Sequence, residues 1–208
     1  MSGAFPSPLS LSHGRPFLFT DARSGRIALV AHCILNQNAK VAEYAVFPAM
    51  VPGFCELMER FAFGVHQLPC PEMCTAGIRR WWQVSEQYGT AAFRRSYTRL
   101  ADSVLDQIED FLQAGFSIVL IGVDGSPSCG IDITDTDPSW MGSPTVRLRD
   151  PEEYLRKGSG VFIDCLRRRA AERGFPQFPS IGLPLDVKGK PVDLSVVETF
   201  LKGIKGGE

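Results

Sequence analysis

Apolar residues fall along this chain in two alternating rhythms. Ile27-Ala28-Leu29-Val30-Ala31 and Phe116-Ser117-Ile118-Val119-Leu120-Ile121-Gly122-Val123 are short, dense runs with the length of strands buried on both faces. Gly64-Val65-His66-Gln67-Leu68 offers a further strand. Between the runs the apolar spacing turns helical. Phe93, Tyr97, Leu100, Val104, Ile108 and Phe111 make one stripe over 90–114, with Gly115 as its stop. Phe54, Leu57, Met58 and Phe61 repeat that spacing within 42–63, where Pro48 and Pro52 predict a break before the longer helix. A loop rich in Asp and Pro follows over 132–143, then a helix over 160–173 ended by Gly174. Asp193 caps a last helix carrying Val197, Phe200 and Leu201. Strands separated by helices require parallel pairing with right-handed crossovers, so the expected fold is α/β, a three-layer domain with a mostly parallel sheet.

Length and composition sharpen this picture only modestly. The 208 residues suit one domain, expected over 26–208, preceded by an extended or mobile arm over 1–25 that carries Pro6, Pro8 and Pro16. No apolar core with a basic start precedes the domain, and no run of about 18 apolar residues appears, so neither a secretory signal nor a membrane span is expected. The net charge of −1 gives no general pull toward nucleic acid or anionic membrane. Arg167-Arg168-Arg169 sits inside a helical pattern and reads as a solvated face. Six cysteines without a signal point to a reducing, cytoplasmic setting, where cysteines pack, bind metal or do chemistry.

Three of those cysteines share one kind of position. Cys33 follows the first strand, Cys70 the second in Leu68-Pro69-Cys70-Pro71-Glu72, and Cys129 the third in Asp124-Gly125-Ser126-Pro127-Ser128-Cys129-Gly130. In an open parallel sheet, ligands bind beyond the carboxyl ends of the strands, so all three belong to one rim. Pro69, Pro71 and Pro127 stiffen their loops, which lowers the entropy lost in fixing thiolates. Softness admits both an iron–sulfur cluster and zinc. Cys55, among Phe54, Leu57 and Met58, and Cys165, beside Phe162 and Leu166, read as core packing. Cys74 lies four residues after Cys70 and is a candidate fourth ligand.

The segments His32-Cys33-Ile34-Leu35-Asn36, Cys70-Pro71-Glu72 and Ser126-Pro127-Ser128-Cys129-Gly130 together resemble the 2-thiouracil desulfurase family, closest to its branch of related desulfidases. The resemblance runs from about Ile27 to Gly130 and extends to Gly158-Ser159-Gly160-Val161. It implies a Rossmann-like domain with a [4Fe-4S] cluster on Cys33, Cys70 and Cys129. It also implies that the fourth iron takes the sulfur of a small thiolated substrate while water replaces it at carbon. The surroundings depart from the better-known members. Asn36-Gln37-Asn38-Ala39-Lys40, Met73-Cys74-Thr75-Ala76-Gly77-Ile78-Arg79-Arg80 and Val123-Asp124-Gly125 stand where those members carry other motifs. The ligands are kept and the pocket is not.

Hydrolytic desulfuration needs a metal for sulfur, a base for water and donors to hold the geometry. Glu72, two residues after a ligand, is the expected base, with a helix N-terminal charge as its structural alternative. Asp124, at the end of the strongest strand, is a second acid/base candidate. Ser126 and Ser128 are candidate donors to substrate or sulfide, or loop-shaping residues. Asn36 and Asn38 suit either a heterocycle edge or a turn, and His32 and His66 read as structural. Arg79 and Arg80 read as a surface hinge, with an anion clamp as the alternative. A non-catalytic structural or sensing site for zinc or iron–sulfur is the competing reading of the whole.

Overall fold

A computed structural model describes residues 17–142, 154–184 and 192–204. Most of the expected N-terminal arm, and Ser143 at the end of the Asp/Pro-rich loop, lie outside the described residues.

Four parallel strands make the central sheet: β1 (Arg26–Val30), β2 (Gly64–Gln67), β3 (Ser117–Asp124) and β6 (Ser180–Pro184), in the order β2-β1-β3-β6. Val30 pairs in register with both Gln67 and Ile121, and Asp124 with Pro184. The two dense apolar runs are the two central strands. Leu29, Leu120 and Ile121 have no exposed surface, and burying a side chain of that size contributes about 1.5–3 kcal/mol. β2 is an edge strand and mostly exposed. A small antiparallel pair, β4 (Ile133–Asp135) with β5 (Leu155–Lys157), stands apart from the main sheet.

The helices are α1 (His32–Leu35), α2 (Phe54–Arg60), α3 (Pro71–Ala76), α4 (Ser85–Tyr88), α5 (Ala91–Gln113), α6 (Val161–Glu172) and α7 (Ser195–Ile204). α5 follows the sequence closely. Thr90 caps it by accepting from the Phe93 N–H, and Tyr97, Ala101, Val104, Leu105 and Ile108 form its buried stripe. α2 begins only after Pro48 and Pro52, which break the 42–63 segment before the helix as the sequence predicts. Asp193 caps α7 as expected, its Oδ1 accepting from the Ser195 N–H at 2.8 Å.

Chain direction fixes the layers. From β1 the chain crosses to β2 on one side, then returns past β1 to β3 and on to β6. Right-handed crossovers moving in opposite directions put their helices on opposite faces. Ion pairs agree with that assignment. Arg60 of α2 meets Glu198 of α7 at 2.8 Å, while Arg169 and Arg173, on and just after α6, both reach Asp102 of α5. The molecule is thus an α/β, Rossmann-like domain whose connections diverge from β1 and β3. Among the described residues, no helix is long and apolar enough to cross a membrane.

Candidate functional site

The point where connections diverge is where an open α/β sheet leaves a crevice at its carboxyl edge. Cys33 lies just beyond β1 and Cys129 just beyond β3, so both stand at that crevice. Cys70 follows β2, the next strand over. All three line one cavity of about 80 Å³, room for several waters.

Each cysteine is positioned by its own local device. Cys33 sits in the single turn α1, where its carbonyl accepts from Gln37 Nε2 at 2.6 Å. Gln37 is itself buried, and its Oε1 accepts from the Val46 N–H. Beside Cys33, His32 Nδ1 donates to Leu68 O at 3.3 Å and Nε2 accepts from Asn36 Nδ2 at 3.4 Å, tying the end of β1 to the end of β2. Cys70 is the N-cap of α3, with Pro71 at the first helical position, and its Sγ accepts from the Met73 N–H at 3.4 Å. Cys129 lies in a turn organised by Ser126, whose Oγ accepts from the Cys129 N–H at 3.0 Å and the Ser128 N–H at 3.3 Å.

Burial is the first cause pushing the Cys70 and Cys129 thiols above their ordinary value. At Cys70 the charge of Glu72 adds to it, while the Met73 N–H and the Arg80 guanidinium oppose. At Cys129 the charges of Cys33 and Cys70 come next, so the three sulfurs already feel one another electrostatically. Three thiolates in such a place repel until a cation balances them.

The softness of the three thiols admits a cluster or a lone ion. Among the described residues, no three His, Cys, Asp or Glu side chains are gathered closely enough to hold one metal ion. A single zinc needs every sulfur at about 2.3 Å from one point. A four-iron cluster gives each thiolate its own iron, so its ligands stand further apart. Three soft donors on one cavity, with the Met73 N–H donating to Cys70 Sγ, are compatible with that second arrangement.

Glu72 lines the cavity and is held on both oxygens. Oε1 accepts from Ser128 Oγ at 2.6 Å, and Oε2 pairs with Arg80 Nε at 3.0 Å. Ser128 Oγ also lies 3.5 Å from Cys129 Sγ, but its one proton goes to the shorter, charge-assisted contact. Arg80 overturns its sequence reading. Arg79 is exposed, whereas Arg80 is 5% exposed and gives its other nitrogens to Ala39 O at 2.8 Å and Gly77 O at 3.2 Å. Its Nη2 also stands 3.9 Å from Cys70 Sγ. It is not a surface hinge but a buried cavity-lining group that ties Glu72, after β2, to Ala39, after β1.

Other expected site residues fall differently. Asp124 Oδ1 accepts from the backbone N–H groups of Ile131, Asp132 and Ile133 at 2.9, 3.0 and 3.3 Å. Its carboxylate also fills the space a side chain at Gly182 would need, with a Cβ there only 2.0 Å away. Those contacts describe a loop-closing group, not a free base. Ser126 lines the cavity but spends its oxygen on the turn. Asn36 Oδ1 accepts from the Asn38 N–H, which makes this pair a turn. Cys74 lies on the exposed side of α3, outside the cavity wall. Cys165 is buried as expected, while Cys55 is exposed and touches Met50 Sδ at 3.9 Å, because Phe54, Leu57 and Met58 take the buried face of α2.

Several residues of the site carry no sequence signal. Trp82 forms part of the cavity wall and stacks on Trp140 with centroids 4.4 Å apart and planes 5° apart. Gln83 lines the same cavity. Ser85 Oγ lies 2.8 Å from both Thr134 Oγ1 and Asp135 O and 3.3 Å from Pro127 O, pinning this segment to the Cys129 loop. The Tyr88 and Tyr97 hydroxyls are buried, close to Glu72 and Thr75 of α3 respectively. Burial and then the Glu72 charge push both phenols upward.

Comparison with known proteins is sparse. No protein-family profile matches the chain, and no solved structure matches it. It is 31% identical over 106 residues to the uncharacterized protein MJ0003 of Methanocaldococcus jannaschii, a stretch covering 51% of this chain and 68% of the archaeal protein.

Proposed function

This chain belongs to the family of the archaeal protein MJ0003, and we propose that it is an iron–sulfur-dependent desulfidase acting on a small thiolated compound, such as a thio-heterocycle, in the cytoplasm. The observation that carries this reading is the convergence of Cys33, Cys70 and Cys129, from three strand ends, on one cavity. The resemblance of the three cysteine segments to the 2-thiouracil desulfurase family supports it.

Cys33, Cys70 and Cys129 would hold a [4Fe-4S] cluster, which supplies an iron without a protein thiolate as a Lewis acid for sulfur. The overall reaction is C=S plus water to C=O plus hydrogen sulfide, with no oxidant consumed. Glu72 and Ser128 handle the proton. Because the Ser128 hydroxyl donates to Glu72, its oxygen is left to accept from a water in the cavity. The proton of that water passes to Ser128 Oγ as the serine proton shifts to Glu72. Arg80 keeps the carboxylate fixed and offsets its charge.

Anaerobic reconstitution with iron and sulfide tests the reading. The expected product is brown, with about four irons and four sulfides per chain, and releases sulfide from small thioamides. A colourless protein that instead holds one zinc per chain would overturn it and favour a structural site.

A further inference from the structure

Helix α5 carries its charges in the order that its own dipole disfavours. Arg94, Arg95 and Arg99 fill its first half and Asp102, Asp106, Glu109 and Asp110 its second, with no acid in the first turn and no base in the last. Aligned peptide units make the start of a helix positive and its end negative, so the reverse order is the stabilising one. Part of the acidic half is compensated within the chain. Arg169 and Arg173 both reach Asp102, and Arg173 also reaches Asp106 at 2.7 Å. The basic half is not compensated in this way. Arg94 donates to Gly89 O and Arg99 to Ser96 Oγ, and among the described residues neither these two nor Arg95 pairs with a carboxylate. A charge order that costs the helix locally finds its compensation in contacts made outside it.

The outward stripe of α5 is also symmetric. Ala92, Arg95, Arg99, Asp106, Asp110 and Gln113 are exposed, and helical spacing puts them on one face. Arg99 with Asp106, Arg95 with Asp110, and Ala92 with Gln113 are each centred on the same point, between Asp102 and Ser103. Asp102 is drawn aside by Arg169 and Arg173, so the small, exposed Ser103 is what the midpoint presents. Turned end for end about that point, the stripe lays each arginine on an aspartate. We propose that α5 is the docking face for a second copy of this chain, the two helices crossing antiparallel about a two-fold axis. Arg95 then meets Asp110 of the partner subunit, and Arg99 meets Asp106 of the partner subunit. A two-fold contact makes each pair twice, so four ion pairs form. At 1.5 Å per residue they stand about 5 Å and about 11 Å from the axis, within reach of helices crossing at a shallow angle. The net charge of −1 leaves little general repulsion between copies. One helix pair is smaller than a standard interface and exposed ion pairs are individually weak, so the dimer is concentration-dependent and salt-sensitive. No α5 residue lines the cysteine cavity, so association and the chemistry of that site are separable.

Sedimentation equilibrium of the full chain is the test. Wild type should show a monomer–dimer equilibrium whose dissociation constant rises at least about tenfold between about 0.02 M and about 0.5 M salt. Arg95→Glu with Arg99→Glu makes the stripe wholly acidic and should raise that constant at least about 100-fold. Asp106→Lys with Asp110→Lys makes it wholly basic and should do the same. Mixed in equal amounts, the two double variants regain all four pairs and should form a heterodimer within about tenfold of the wild-type constant. Circular dichroism equal to wild type shows that each variant is folded. Wild type that stays monomeric up to about 1 mM overturns the inference. So does a dimer that either double variant leaves intact, or a pair of folded double variants that do not associate when mixed. Monomeric wild type retained on heparin through Arg95 and Arg99 also overturns it, and assigns the basic half of α5 to a polyanionic partner.

Discussion

Glu72 Oε2 and Arg80 Nε stand 3.0 Å apart in a pair whose side chains are only 12% and 3% exposed. Removing one member of a buried pair leaves the other charge without compensation, which costs about 3–5 kcal/mol. Arg80→Gln should therefore lower unfolding stability by about that amount in denaturant titration. Arg80→Lys keeps the charge but cannot also reach Ala39 O and Gly77 O, so it should recover only part of the loss. A change within about 0.5 kcal/mol for Arg80→Gln would contradict the buried tie.

The cysteines divide by position. Replacing Cys33, Cys70 or Cys129 by Ala should each abolish iron uptake, because all three line the cavity. Cys55→Ala, Cys74→Ala and Cys165→Ala should leave iron per chain unchanged. Loss of iron on Cys74→Ala would mean that α3 rearranges to bring a fourth thiolate inward and close the open iron.

Ser128 joins Glu72 to the cysteine loop through a 2.6 Å hydrogen bond. Ser128→Ala removes the hydroxyl that accepts from water, so sulfide release should fall by about 10²–10⁴-fold, the range of a proton-transfer group. Iron content should stay near the wild-type value, since the Cys129 turn is held by Ser126. Equal loss of iron and activity would assign Ser128 to the loop instead.

What the sequence conveyed well was the part built from long, regular stretches. The stripe of α5 and the dense run of β3 are strong because each depends on its own residues. Ser180–Pro184 was not expected as a strand: five residues holding Gly182 and Pro184 show no strand rhythm, and they pair only because β3 has an open edge. The cysteine rim was legible because strand ends in a parallel sheet share one side. Arg80 and Gln83 were not, since whether a side chain in an irregular segment turns inward depends on partners distant in sequence, here Ala39 and Glu72 for the arginine. Asp124 misled for a related reason. A carboxylate at a strand end satisfies loop N–H groups as readily as it does acid–base work.

Asp102 gives the helical layer its pH dependence. Partial burial works to raise its carboxyl, but the hydrogen bonds and charges of Arg169 and Arg173 outweigh it and hold the group below its ordinary value. A carboxyl depressed in the folded state stabilises the fold above its unfolded value and loses that contribution as pH falls through its folded value. Asp102→Asn should thus cost about 1 kcal/mol near neutrality, modest because the pair is partly exposed. The gap between wild type and variant should close as pH falls through the depressed titration of Asp102, and urea titrations at neutral and strongly acidic pH measure it. A gap that persists at low pH would assign the loss to packing.

Gly160 lets the start of α6 press on the cysteine loop. A Cβ there would come 2.3 Å from the carbonyl carbon of Ser128 and 2.6 Å from the Cys129 nitrogen. Both neighbours are backbone, so neither rotates away, and the loop must move. The Gly160 N–H also donates to Gly130 O at 2.9 Å, and those of Val161 and Phe162 to Pro127 O and Ser128 O, so α6 and the loop are clamped from both sides. Gly160→Ala should cost about 1–3 kcal/mol, the range for forcing extra atoms into a packed site. It should also impair iron uptake, because displacing the backbone at Cys129 moves one of the three sulfurs. Stability and iron content would fall together here, whereas Ser128→Ala should lower activity alone. A Gly160→Ala protein with normal stability and full iron would mean that the loop yields without moving Cys129.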